Sequence, residues 1–121
     1  MKQISESEML HRAAAYCSAS ERCIQDVEKK IKAAGLAGEE SDRIVSRLLQ
    51  ERFIDESRFA RYFVNDKLRF NKWGRVKINY EMQRKGIPSS IRSEALEGID
   101  EQEYRSILLS LLKSKKKVTR G

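Results

Sequence analysis

Residues 52–87 read RFIDESRFARYFVNDKLRFNKWGRVKINYEMQRKGI, and this stretch decides the fold. Phe53-Ile54-Asp55 sets a hydrophobic pair ahead of an acceptor side chain, so Asp55 reads as the N-cap of a long helix from Glu56 to about Asn71. At about 100° per residue, Phe59, Phe63 and Phe70 share one side of that helix and read as core with Phe53, while Arg58, Arg61, Asn65, Arg69 and Lys72 fall within an arc of about 80° on another. Trp73-Gly74 breaks the helix. A second helix from Arg75 to Lys85 buries Ile78 and Met82 and aligns Lys77, Tyr80 and Arg84 on a different face. Gly86 stands where a left-handed residue ends a helix, with Ile87 placed to fold back on it.

Working outward, the upstream half has the same grammar. Residues 1–7 are polar and read as a flexible N-terminus; from Glu8, Leu10, Ala13, Ala14 and Cys17 recur at helical spacing. Ser18 and Glu21 fit a capping box for a second helix, whose Ile24, Val27 and Ile31 form a stripe that stops at Gly35. A third helix starts at 39–41, carries Ile44, Val45, Leu48 and Leu49, and ends near Arg52. Downstream, Pro88 suits the first turn of a short helix with Ile91, Ala95 and Leu96, stopped at Gly98. Ile99-Asp100 then restates Ile54-Asp55, with Glu103 at the third helical position, and a last helix bears Tyr104, Ile107, Leu108, Leu111 and Leu112 in one stripe.

The two halves can be superposed as text. Val27, Ile31, Gly35 and Leu36 match Ile78, Met82, Gly86 and Ile87 at an offset of 51, and Ile54, Asp55, Glu56 and Phe59 match Ile99, Asp100, Glu101 and Tyr104 at an offset of 45. This is an internal repeat of about 45–50 residues in which each unit is a three-helix bundle. The expected fold is all-α, with tandem three-helix repeats forming an elongated, curved helical array. The first repeat is read over 8–54, the second over 55–112, and 113–121 as a basic tail leading toward a third repeat.

Charge follows the same division. Residues 1–50 hold eight Lys/Arg against eight Asp/Glu, whereas 51–121 hold seventeen against ten, so the second part carries the whole net charge of +7. An excess of that kind points to a polyanionic partner, either nucleic acid or an acidic protein surface. With Cys17, Cys23 and His11 alone, neither a zinc site nor a disulfide framework is expected, and both cysteines read as buried thiols of a reduced, cytoplasmic protein. No apolar run approaches the roughly 20 residues of a membrane helix. The glycines end helices instead of forming a phosphate loop, and His11 has no nucleophile at a recognisable spacing, so no enzyme, metal or cofactor is expected.

Candidate contact residues are therefore basic. Arg58, Arg61, Arg69 and Lys72 form a stripe that reads either as a solvated helix face or as a partner contact; no carboxylate of the same helix shares the arc. Lys77, Tyr80 and Arg84 set an aromatic between two cations, suited to stacking on a base or packing in a protein groove, or to simple packing within the array. Lys113, Lys115, Lys116, Lys117 and Arg120 form an electrostatic tether or a plain exposed end. Trp73 reads as structural, filling a corner between helices.

A helical lead-in, a helix end at Gly35, Phe53-Ile54-Asp55-Glu56 running to Phe59-Ala60, then Trp73-Gly74 and a helix closed by Lys85-Gly86-Ile87 together resemble the RecX regulatory proteins of bacteria, over roughly residues 10 to 112. The resemblance implies a non-enzymatic protein of tandem three-helix repeats that lies in the groove of the RecA recombinase filament. There it would suppress strand exchange, ATP hydrolysis and the coprotease activity of the SOS response. It also implies weaker, electrostatic contact with single- and double-stranded DNA, no membrane, and a monomer. Typical members carry three repeats, against two here. Two other readings stand beside it: a DNA-binding module of helix-turn-helix type with Arg75 to Lys85 as recognition helix, and a helical scaffold for some other acidic protein.

Overall fold

The computed structural model describes residues 4–120, with side chains at all of these positions except 111 and 113–120. Among the described residues there are seven helices and no strand: α1 Glu6–Ala19, α2 Ile24–Ala33, α3 Glu39–Gln50, α4 Glu56–Arg69, α5 Arg75–Arg84, α6 Ser89–Glu97 and α7 Glu101–Arg120. The fold is an all-α helical repeat. It divides into two compact units, Met1–Phe59 and Ala60–Gly121.

In the first unit α1, α2 and α3 pack on one another. Their stripes meet in a core of Met9, Ala13, Cys17, Val27, Ile31, Ile44, Val45 and Leu48, the inward residues of the three helices, completed by Leu36 and Ile54 from the segments that follow α2 and α3. Helix α1 begins at Glu6, two residues earlier than the apolar pattern suggests, because Ser5 Oγ accepts the Glu8 N–H at 3.1 Å. Ile4 packs against the edge of the core.

The capping box expected at Ser18 does not form. The buried face Met9, Ala13, Cys17 carries α1 on through Ala19, so Ser18 lies inside a helix, and Ser20 is the extended residue that ends it. Cys23 caps α2 instead, and its N–H donates to Asp26 Oδ2 at 3.3 Å. Both cysteines are buried, and no disulfide joins them.

Helix ends repeat with the same hydrogen bonds. After α2, Gly35 (φ 95°) donates to Lys32 O at 3.0 Å and Leu36 to Ile31 O at 3.2 Å. After α5, Gly86 (φ 80°) donates to Gln83 O at 3.0 Å and Ile87 to Met82 O at 3.1 Å. These are paired Schellman closures, and both back-folded residues, Leu36 and Ile87, are buried. Helix α3 closes identically, Arg52 to Leu49 O at 3.1 Å and Phe53 to Leu48 O at 2.9 Å, but with an arginine at φ 62° in the position that glycine usually takes.

In the second unit α5 packs on α6, and Phe63, Val64, Leu68, Ile78, Met82, Ile87, Ala95 and Ile99 are buried. Asp55 caps α4 through the Arg58 N–H at 3.0 Å, and Asp100 caps α7 through the N–H groups of Gln102 and Glu103 at 2.8 and 3.2 Å. Pro88 is the N-cap of α6, one residue before its first turn. Phe70 is not core: α4 stops at Arg69, and Phe70 is 80% exposed. The helical wheel fails there because the helix does not extend that far; Trp73 takes the place beside Phe63, edge-on, with ring centroids 6.3 Å apart.

Candidate functional site

Each unit secures the start of its second helix with a polar group from a later helix. In the first, Glu56 Oε2 of α4 accepts the Ile24 N–H of α2 at 3.4 Å. Burial raises the Glu56 carboxyl above the usual carboxylate value, and Glu28 adds to the rise, against the lowering effect of the Ile24 hydrogen bond. In the second, the Tyr104 hydroxyl of α7 accepts the Arg75 N–H of α5 at 3.3 Å. The Arg75 guanidinium lies over the Tyr104 ring at 4.2 Å and pairs with Glu101. The repeat offsets align Ile24 with Arg75 and Glu56 with Glu101, so one structural task is done by different chemistry in the two copies.

The basic residues of α4 divide by environment. Arg58 is committed within the first unit: its Nε meets Glu21 at 2.9 and 2.8 Å, and its terminal nitrogens donate to the carbonyls of Arg52 at 3.2 Å and Phe53 at 3.3 Å. Arg69 pairs with Glu103 of α7 at 2.5 and 3.2 Å, which raises the guanidinium pKa further, yet its side chain stays more than half exposed. Arg61 is exposed and, with Val64, Asn65, Glu94, Ala95, Gly98 and Ile99, lines a cleft of about 80 Å³. Among the described residues, neither Arg61 nor Lys72 has a carboxylate partner. Lys72 sits at φ 58° in the turn that follows α4.

On α5, Lys77 Nζ stands 4.7 Å from the Trp73 ring, and Lys67 Nζ from α4 stands 5.2 Å from the same ring. The half-buried indole thus ties α4 to α5 and holds two cations at the surface, by the attraction of an ammonium to an aromatic face. Tyr80 is 56% exposed, with Arg84 6.0 Å above its ring and 3.5 Å from Glu81. The side chains of Lys113, Lys115, Lys116 and Lys117 lie outside the described residues. No group of three His, Cys, Asp or Glu that could hold a metal is found among the described residues.

This geometry suits binding to an anionic surface through α4 and α5 of the second unit. The family model described as "RecX, second three-helix domain" matches residues 55–96, which span α4, α5 and all but the last residue of α6. The regulatory protein RecX of Prosthecochloris aestuarii is 33% identical over 91 residues, covering 75% of this chain and 60% of that protein. The chain belongs to the RecX family. The regulatory protein RecX of Lactobacillus johnsonii is 26% identical over 113 residues, covering 93% of this chain and 42% of its own length. The chain thus spans between about two-fifths and three-fifths of the length of these two RecX relatives. The crystal structure of RecX from Lactobacillus salivarius superposes with a TM-score of 0.81 at 19% identity, covering 96% of this chain and 76% of that one, which establishes the shared fold. The RecX relatives are named as regulatory proteins, and no described helix is long and apolar enough to cross a membrane.

Three features of the site escaped the sequence pattern. The carboxylates that meet Arg58 and Arg69 come from 37 and 34 residues away, beyond the reach of any helical wheel. Arg92, which no sequence pattern singles out, donates to Ile87 O at 2.5 Å and Asn79 Oδ1 at 2.9 Å, bracing the end of α5. Val76, 86% exposed, lies one helical turn before Tyr80; an aliphatic residue at i−4 from an exposed aromatic was the available signal.

Proposed function

We propose that this RecX-family chain binds the RecA–DNA filament along its groove and restrains the recombinase, ATPase and coprotease activities of RecA, in DNA repair and the SOS response. The observation that carries the reading is the set of exposed cations of the second unit, Arg61, Lys72 and Lys77, within the segment that matches the family. A filament of protein and nucleic acid offers such a surface both phosphates and acidic side chains, and the attraction weakens as salt rises. The protein acts by occupancy, as a monomer in the cytoplasm, without a cofactor.

The test is the single-stranded-DNA-dependent ATPase of RecA titrated with the 121-residue chain, DNA being in excess so that competition for free strand cannot lower the rate. A fall at near-stoichiometric chain supports filament docking; an unchanged rate together with no binding to the filament overturns it. A second reading, a DNA-binding module, draws on the same cations and on the exposed face of α5. It requires tight binding to bare DNA that added RecA does not strengthen.

A further inference from the structure

The outer face of α5 is more apolar than its charge suggests. At about 100° per residue, Gln83, Val76, Tyr80, Arg84 and Lys77 occupy one arc of about 120° centred on Tyr80, opposite the buried pair Ile78 and Met82. Val76 is 86% exposed and Tyr80 56%, one turn apart on the same face, and so form an apolar strip about one turn long. The cations Lys77 and Arg84 flank it on one side, and the single acid near it, Glu81, is taken up by Arg84.

We propose that this face of α5 is a protein-docking surface, whose occupant is an acidic protein surface with an apolar recess that receives Val76 and Tyr80. The inference rests on the proposed function and assigns to α5 the protein half of the filament contact, leaving the phosphates to Arg61 and Lys72. Two observations favour protein over nucleic acid. Val76 has no π face and no hydrogen-bonding group, so only an apolar surface recovers what its exposure costs, whereas a strand-binding face is built from cations and stacking rings. The Lys77 ammonium is already held over Trp73 and Arg84 is already beside Glu81, which makes both suited to the rim of an interface, steering and orienting an acidic partner around an apolar centre. A tyrosine anchor with arginine and lysine along one edge is a composition met at the energetic centre of protein contacts, and Val76 extends its apolar area.

The experiment compares the full chain with Val76→Ser, Tyr80→Ala and Arg61→Glu variants, each checked for unchanged helicity, on two probes: RecA filaments assembled on single-stranded DNA, and the same DNA bare. The expected result is a loss of about tenfold or more in filament affinity for Val76→Ser and Tyr80→Ala, with bare-DNA affinity unchanged, and a loss on both probes for Arg61→Glu. If the α5 variants bind the filament as the parent chain does, or lose bare-DNA affinity by the same factor, the α5 assignment is overturned while the proposed function stands. If the parent chain itself fails to bind the filament, the proposed function falls and this inference falls with it.

Discussion

Arg58 Nε lies 2.8 Å from Glu21 Oε2 while the same guanidinium reaches the carbonyls of Arg52 and Phe53, joining the start of α4, the turn before α2 and the end of α3 in the first unit. The carbonyl it holds at Arg52 belongs to a left-handed non-glycine residue, φ 62°. A planar fork with several donors is what this position requires, and an ammonium is too small to span it. Arg58→Ala and Arg58→Lys are both expected to destabilise the fold, by roughly 1–2 kcal/mol, the group being part-exposed. Urea unfolding followed by circular dichroism measures this; a neutral lysine variant contradicts the fork requirement.

The conformation of Arg52 itself gives a second expectation. Its two counterparts in hydrogen bonding are Gly35 and Gly86, at φ 95° and 80°. Arg52→Gly is expected to stabilise the chain by up to about 1 kcal/mol, whereas Gly35→Ala and Gly86→Ala each cost about 1 kcal/mol or more. Thermal unfolding of the three variants would show midpoints moving in opposite directions, and a shared direction would contradict the closure described.

Charge reversal on α4 separates the basic face from the scaffold. Arg61 has no carboxylate partner among the described residues, and Arg69 has one surface pair, screened by solvent and of little weight in stability. Arg61→Glu combined with Arg69→Glu is therefore expected to leave helicity intact while lowering filament affinity by tenfold or more at low salt. Undiminished binding by a folded double variant would remove the α4 face from the proposed site.

Glu56 links stability to pH. Burial raises its folded-state carboxyl above the unfolded value, so the folded chain holds the proton more tightly, and the resulting stabilisation is complete below the unfolded value and lost as pH rises through the raised one. At neutral pH the charged, part-buried carboxylate is a cost. Glu56→Gln keeps an acceptor for the Ile24 N–H without the charge, and is expected to be at least as stable as the parent at pH 7, with that advantage closing on acidification. Urea midpoints at pH 7 and pH 4 decide it; an advantage that widens in acid reverses the sign argued here.

Much of this architecture is legible in the sequence. The buried positions of α2 and α5, the glycine closures and the Asp55 and Asp100 caps follow from local spacing, because helix periodicity, left-handed backbone and capping are all decided within a few residues. The failures have the opposite character. Between Cys17 and Asp26, Ser18, Ser20, Glu21 and Asp26 all offer capping chemistry, and only the continuity of the α1 face selects Cys23 as the boundary. Phe70 was placed on a wheel that ended before reaching it. For Arg58 and Arg69 the wheel gave the direction but not the occupant: Glu21 and Glu103 approach from other helices.

Trp73, packed on Phe63 between the ammonium groups of Lys67 and Lys77, is the one tryptophan of the chain and belongs to the second unit. Its fluorescence is therefore a spectroscopic marker confined to residues 60–121, while circular dichroism at 222 nm integrates helices from both units. Coincident denaturation curves from the two signals would identify a single cooperative transition; an indole emission that shifts before the ellipticity falls would identify the second unit as the less stable of the two.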